Sequence, residues 1–109
     1  MDARRALIEV LGRDGSVQLA WPVHRWPVSV GRAFDNDLVL DDPHVAPYHA
    51  RLVCDEDDTP PGVVPAVRLH VGQTVNGVDL DGRHLEAFQS GPLVPGAQLS
   101  LGGLRLRVR

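Results

Sequence analysis

Glycine and proline interrupt this sequence so often that no apolar pattern at helical spacing continues for three turns. The 109 residues include 11 Gly and 9 Pro, and both residue types favour turns over long helices. The dipeptides Asp14-Gly15, Asn76-Gly77 and Asp81-Gly82 are typical of tight hairpin turns, in which the central residues adopt positive φ. The sequence therefore predicts an all-β fold, a mostly antiparallel two-sheet sandwich with little or no helix.

Apolar and β-branched runs between the turns predict the strands. We expect them near 5–11, 16–21, 27–30, 37–40, 48–54, 66–71, 97–101 and 103–109. In the last run Leu104, Leu106 and Val108 should face the core, because strand side chains alternate between the two faces. The three arginines between and after them could bind an acidic partner, although a solvated strand face is the commoner role. The acidic and then proline-rich stretch at 55–65 predicts a surface loop.

Length and composition predict one domain over residues 1–109, which could be a piece of a longer protein. Cys54 is the only cysteine, so no intrachain disulfide can form, and we expect an inert, at least half-buried thiol. No stretch approaches the roughly 18 apolar residues of a membrane span, and the N-terminal residues lack a signal-peptide pattern. These features predict a cytoplasmic domain without direct membrane insertion.

The charged residues exclude several functional classes. All 11 basic residues are arginine, which rules out a P-loop lysine, a Schiff-base lysine and a lysine general base. The arginines are dispersed and the net charge is -3, so we expect no nucleic-acid binding. A zinc site needs three or four converging ligands, and no Cys-x-x-Cys or His-x-x-x-His pair is present. Asp35-Asn36-Asp37 lacks the glycine that a calcium loop needs, so no metal or other cofactor is predicted.

Catalysis is not expected either. Cys54 and His49 are five residues apart on one predicted strand, so their side chains should leave on opposite faces. No other pair of nucleophile and base has a supporting motif. The chain is therefore predicted to bind a partner instead of catalysing a reaction.

Two polar residues are placed beside glycines where they could hold a ligand. Gly31 lets the chain turn at a strand end and leaves Arg32 in a loop, where its planar guanidinium could bind a phosphate or a carboxylate. The alternative is an ion pair between Arg32 and one of the nearby aspartates at 35, 37, 41 and 42. Asn76 precedes Gly77, and its amide could close a local turn or hold the backbone of a bound peptide.

Three segments, in this order, carry a family resemblance. They are VSVGRAFDNDLVLDD (28–42), VAPYHARLV (45–53), and GQTVNGVDLDGRHL (72–85) continued by PLVPGAQLSLGGLRLRV (92–108). Together they resemble the forkhead-associated (FHA) domain family, whose members are β-sandwiches that bind threonine-phosphorylated peptides through loops at one end.

The resemblance implies a role for each matching residue. Arg32 would contact the phosphothreonine, and Asn76 would hold the peptide backbone. His49 would brace the binding loop from beneath through hydrogen bonds. The implied partner is a protein or peptide phosphorylated on threonine.

The second and third segments depart from the family pattern. Ala46 stands where the family has a serine whose hydroxyl reaches the phosphate, and Pro47 lacks even a backbone N–H. In the third segment, either Val75 occupies a position that is usually threonine, or Val75 is an insertion and Thr74 can still reach the ligand. Two functions stay open: a phosphothreonine-peptide reader, and an FHA-like scaffold that has lost phosphate recognition.

Overall fold

The computed structural model describes residues 6–54, 60–63 and 66–109. In these residues the strands form two β-sheets, and there is no helix. The predicted sandwich is therefore confirmed. The strands are β1 (Ala6–Leu11), β2 (Val17–Val23), β3 (Val28–Gly31), β4 (Leu38–Val39), β5 (Ala50–Cys54), β6 (Val67–Val71), β7 (Val78–Leu80), β8 (Arg83–Leu85), β9 (Ser90–Leu93), β10 (Gln98–Leu101) and β11 (Leu104–Val108). Among these residues there is accordingly no helix that could cross a lipid bilayer.

The strand order places both ends of the described chain inside one sheet. The six-stranded sheet has the order β2-β1-β11-β10-β7-β8, and the five-stranded sheet has the order β4-β3-β5-β6-β9. All pairs with a given register are antiparallel except β3 with β4, which run parallel. The mostly antiparallel arrangement agrees with the prediction.

Aliphatic side chains from both sheets form the core. Ile8 and Leu106 from the six-stranded sheet, and Leu52 and Leu69 from the other, are at most 1% exposed. Such complete burial of leucine or isoleucine stabilises a fold by roughly 1.5–3 kcal/mol per side chain. The alternation predicted for β11 is confirmed, since Leu106 and Val108 are buried and Leu104 is half-buried against the core.

The predicted hairpin turns are only partly correct. Asp81 and Gly82 have φ of 47° and 86° and join β7 to β8 as a two-residue turn. At Asp14-Gly15 only the glycine has positive φ. The Asp14 carboxylate there accepts hydrogen bonds from the N–H and hydroxyl of Ser16. These side-chain bonds favour a longer loop between β1 and β2.

The strands β7, β8 and β9 were not predicted from the sequence. Each has three or four residues, and glycines at 77, 82 and 91 precede, separate or interrupt them, which in the sequence is typical of turns. The last of them also contains Gly91 and Pro92, and proline is tolerated because β9 is an edge strand. In addition, β5 begins at Ala50, so His49 lies just before the strand and not within it.

The predicted loop at 55–65 falls mostly outside the described residues. Only 60–63 are described from its interior, and they form an exposed turn. Cys54, at the end of β5, is half-buried, as predicted.

The arginines of β11 are engaged by the chain itself. The Nε atoms of Arg107 and Arg109 both donate to the Glu9 carboxylate, at 2.8 and 2.6 Å. Arg105 donates to the carbonyl of Gly12 at 3.0 Å. The outer face of these strands therefore carries a cross-strand hydrogen-bond network centred on the Glu9 carboxylate.

The Glu9 network makes folding sensitive to acid. Hydrogen bonds from Arg107, and then from Arg109, hold the pKa of Glu9 below its ordinary value of 4.5. The folded state therefore favours the carboxylate, so this contribution to stability is present above pH 4.5 and is lost as the pH falls through the lower folded pKa. In Glu9→Gln the contribution should be absent. In thermal unfolding, the Tm of wild type should exceed that of Glu9→Gln, and this difference should become smaller as the pH is lowered.

The matched control for this prediction is Glu86→Gln, since Glu86 is exposed. Its difference from wild type should change little with pH. A gap between wild type and Glu9→Gln that is constant from about pH 6 to about pH 3 would contradict the linkage.

Candidate functional site

Three loops meet at one end of the sandwich. The first loop (residues 32–37) joins β3 to β4, the second loop (40–49) joins β4 to β5, and the third loop (72–77) joins β6 to β7. They contain all the residues singled out from the sequence except Gly31, which ends β3. Hydrogen bonds between the loops hold them together, as described below.

His49 connects the second and third loops from within the fold. Its side chain is fully buried. Its Nδ1 accepts the N–H of Ala46 at 2.9 Å, and its Nε2 lies 2.7 Å from the carbonyl oxygen of Gly77. Because Nδ1 accepts a hydrogen bond from an amide, the ring proton sits on Nε2 and is donated to Gly77. His49 is thus a neutral bridge between two loops.

The first loop holds the second by its carbonyl groups. Three consecutive carbonyl oxygens, those of residues 45–47, each accept a hydrogen bond from the first loop. The donors are Arg32 Nε to Val45 at 3.1 Å, Arg32 N to Ala46 at 3.0 Å, and both Ala33 N and Asn36 Nδ2 to Pro47 at 3.2 and 2.7 Å. The backbone at Ala46 and Pro47 is therefore fixed without help from their own side chains.

Gly31 and Gly77 permit close contacts between backbone segments. A Cβ atom on Gly31 would lie 2.2 Å from the carbonyl oxygen of Pro47. Gly77 has φ of 67°, and a Cβ there would lie 2.3 Å from the carbonyl oxygen of Leu85. Gly31 was expected to allow a turn, but it pairs with Val39 inside the sheet. Its function in the fold is to let the second loop approach.

Arg32 is exposed and its guanidinium is only partly used. Its Nε binds Val45, which leaves four of the five guanidinium N–H groups. Among the described residues Arg32 forms no ion pair. The alternative role of Arg32, an ion pair with a neighbouring aspartate, is thus not seen.

Three of the four aspartates near Arg32 in the sequence accept hydrogen bonds from other groups. Asp35 accepts the hydroxyl of Tyr48 at 2.8 Å, Asp37 binds Ser29, and Asp42 accepts the N–H of His44. Asp41 lines the same groove as Arg32. Within the described ranges, no group of three or more histidine, cysteine, aspartate or glutamate side chains is placed to hold a metal ion.

In the third loop, Thr74 and Val75 differ in exposure and in hydrogen bonding. Val75 is fully exposed, whereas Thr74 is half-buried and its hydroxyl accepts the N–H of Asn76 at 3.2 Å. The Thr74 hydroxyl therefore lies within the third loop, whereas the Val75 side chain makes little contact with the fold. Asn76 Nδ2 donates to the carbonyl of His44 at 3.1 Å, so the amide ties the third loop to the second, a role that was not expected.

Two open grooves flank Pro47. One is lined by Arg32, Ala33, Phe34, Val39, Asp41 and Pro47. The other, of about 620 Å³, is lined by Ala46, Pro47, Tyr48, Gln73, Thr74, Val75 and Ala87. An extended peptide laid across Pro47 could reach both grooves.

Tyr48 is a site residue that the sequence did not single out. Its hydroxyl donates to Asp35, and this bond to a carboxylate raises the pKa of Tyr48. This hydrogen bond connects the second loop to the first. An aromatic residue directly after Pro47 was the only signal in the sequence.

Comparisons with known proteins agree on one family. A family model described as FHA domain matches residues 28–102. A comparison with curated protein sequences finds no match.

Solved structures of FHA domains are similar over almost the whole chain. The MEK1 FHA domain in complex with the HOP1 pThr318 peptide is 22% identical, with a TM-score of 0.77, and the match covers 96% of this chain and 95% of that one. The FHA domain of CT664 from Chlamydia trachomatis is 21% identical, with a TM-score of 0.77 and 94% of both chains covered. EmbR from Mycobacterium tuberculosis, in complex with a low affinity phosphopeptide, is 19% identical, with a TM-score of 0.71 and 94% of this chain but 24% of that chain covered.

The family model spans more than half of the sequence, and it includes all three loops of the candidate site. The strand order and the spacing of the three sequence segments agree with it. The chain therefore belongs to the FHA domain family.

Proposed function

We propose that this domain binds threonine-phosphorylated peptides through its three loops and so mediates contacts between proteins. The observation that carries the proposal is Arg32, an exposed guanidinium anchored by one N–H and without an ion pair in the described part of the chain. Arginine offers a fork of donors that suits phosphate. Structures of two similar domains, from MEK1 and EmbR, contain phosphopeptides, which supports the same ligand class here.

Three residues would contact the ligand in this proposal. Arg32 would bind the phosphate, and the Thr74 hydroxyl, in the neighbouring groove, would add a second donor. Asn76 would hold the peptide backbone through Oδ1, which accepts no hydrogen bond from the described residues. His49, Gly31 and Gly77 would shape the loops.

The aspartates of the first and second loops set a limit on affinity. A phosphothreonine carries about -1.5 to -2 charges, so unpaired carboxylates nearby would repel it. Hydrogen bonds to Tyr48, Ser29 and the His44 N–H engage three of the four aspartates. We propose a weak reader that works in the cytoplasm and depends strongly on Arg32.

A phospho-independent scaffold is the second candidate function. Ala46 has no hydroxyl and Pro47 has no N–H, so two donors available to related domains are missing. The surrounding carbonyl groups are satisfied within the chain. The loops could therefore serve as a rigid protein-binding surface without phosphate.

Replacing Arg32 tests the proposed function. Binding of a degenerate phosphothreonine peptide library should fall at least tenfold in Arg32→Ala, because a hydrogen bond to a charged group contributes about 1.5–3 kcal/mol. Arg32→Lys should restore only part of the affinity, since lysine keeps the charge but loses the planar fork. Titration calorimetry beside the unphosphorylated twin of the library measures both effects.

The matched control is Arg13→Ala, which removes an exposed arginine from the turn between β1 and β2. It should leave binding unchanged. Thermal unfolding of each variant shows whether the loops are intact. Equal binding of the two libraries, or no effect of Arg32→Ala in a folded variant, would favour the scaffold.

A further inference from the structure

Phe88 adopts a backbone conformation that suits glycine. Its φ is 67°, and it is the third residue of a turn closed by the Gln89 N–H on the carbonyl of Glu86 at 3.1 Å. Glycine or asparagine usually occupies this position, because other side chains crowd the backbone at positive φ. A phenylalanine here breaks a local rule of turn chemistry.

The ring of Phe88 contributes little to the stability of the fold. The residue is 78% exposed, so its burial contributes little to stability. Its N–H donates to the carbonyl of Val71 at 3.0 Å, a main-chain bond that glycine would make equally well. Packing does not explain why an exposed aromatic residue occupies this strained backbone conformation, which suggests that the residue has a function.

Phe88 lies at the margin of a groove on the outer face of the five-stranded sheet. Ser29, Tyr48, Arg51, His70, Gly72 and Phe88 are among the lining residues, and none of the lining residues is acidic. Arg51 lies directly opposite His70 in the register of β5 and β6. The groove thus combines an exposed ring with an arginine on its floor.

Charges around the groove favour an acidic ligand. Arg51 forms no ion pair with any described residue, and Arg68 lies in the next row of the same face with only a 3.4 Å bond to Ser90. Asp35 and Asp37 accept hydrogen bonds from Tyr48 and Ser29, and Glu86 is exposed at the start of the turn that carries Phe88. The chain as a whole carries a net charge of -3, so this basic strip is a local feature.

We propose that this groove is a second docking surface, which binds a peptide segment of a partner protein that has acidic side chains around an apolar one. The apolar residue would pack on Phe88, and the acidic residues would pair with Arg51 and Arg68. Tyr48 lines both this groove and the groove beside Ala46, so one partner could occupy both surfaces. The proposal does not depend on phosphate recognition.

The test uses a fluorescein-labelled library of degenerate peptides without threonine, in which aspartate and glutamate surround one leucine. Its twin has asparagine and glutamine in their place. Wild type should bind the acidic library more tightly, and added salt should weaken that binding. Arg51→Gln should reduce affinity several-fold, and its matched control Arg13→Gln should not. Fluorescence anisotropy measures all of these.

Phe88→Gly separates docking from structure. It should raise Tm by roughly 4–8 °C, because glycine relieves the backbone strain. It should also reduce binding of the acidic library about fivefold or more, since a buried aromatic contact is lost. Phe88→Asn, which also tolerates positive φ, should behave similarly.

Three results would overturn the proposal. They are a lower Tm for Phe88→Gly, unchanged binding in a stabilised Phe88→Gly, and equal binding of the acidic and neutral libraries by wild type. Failure of phosphothreonine binding in Arg32→Ala concerns the three loops alone, so the two proposals can fail separately.

Discussion

Replacing His49 by alanine is expected to lower the free energy of unfolding by roughly 3–5 kcal/mol. The side chain is fully buried and bridges the N–H of Ala46 and the carbonyl of Gly77. Its removal leaves two main-chain groups unsatisfied, each costing about 1–3 kcal/mol, and opens a cavity. A change of this size should lower Tm by more than about 12 °C, measured by thermal unfolding.

Two further variants show which part of the imidazole matters. His49→Asn keeps an acceptor near the position of Nδ1 but cannot reach Gly77, so its stability should be intermediate. His24→Ala removes an exposed histidine and should have little effect. If His49→Ala lost under about 1 kcal/mol, then water would be replacing the bridge.

Local patterns in the sequence were sufficient for most of the fold. Alternation in β11 placed Leu106 and Val108 correctly, because strand side chains alternate whatever their tertiary partners are. The strands β7 to β9 were missed because Gly77, Gly82, Gly91 and Pro92 lie beside or within them, and these residue types indicate turns in the sequence. The tight hairpin turn predicted at Asp14-Gly15 was wrong. The Asp14 carboxylate binds Ser16, and this contact favours a longer loop.

The candidate site depended more on contacts distant in sequence. Residue types singled out Arg32 and Asn76, and the family resemblance added His49. The bond from Asn76 to the His44 carbonyl, however, joins residues 32 apart. Similarly, Asn36 reaches the Pro47 carbonyl across 11 residues. The strain at Phe88 has no counterpart in the sequence, because a positive φ is set by the turn and by the pairing of its N–H with Val71.

Ala46→Ser is expected to strengthen binding of phosphothreonine peptides by roughly ten- to a hundredfold. The backbone of Ala46 is fixed on both sides, by Arg32 at its carbonyl and by His49 at its N–H. A hydroxyl added at this Cβ would therefore enter a prepared position in the groove that Thr74 also lines. Titration calorimetry with the phosphothreonine library and its unphosphorylated twin measures the gain.

The gain should depend on phosphate and on Arg32. Ala87→Ser places the same hydroxyl on another residue of the same groove and should leave affinity unchanged. If hydroxyl and guanidinium bind one phosphate, then the gain from Ala46→Ser should shrink when Arg32→Ala is added, because the two contacts are coupled. A gain that also appears with unphosphorylated peptides, or no gain at all, would indicate that the second loop is shaped for a different ligand. The Ala46 position therefore decides between a weakened phosphate reader and a scaffold.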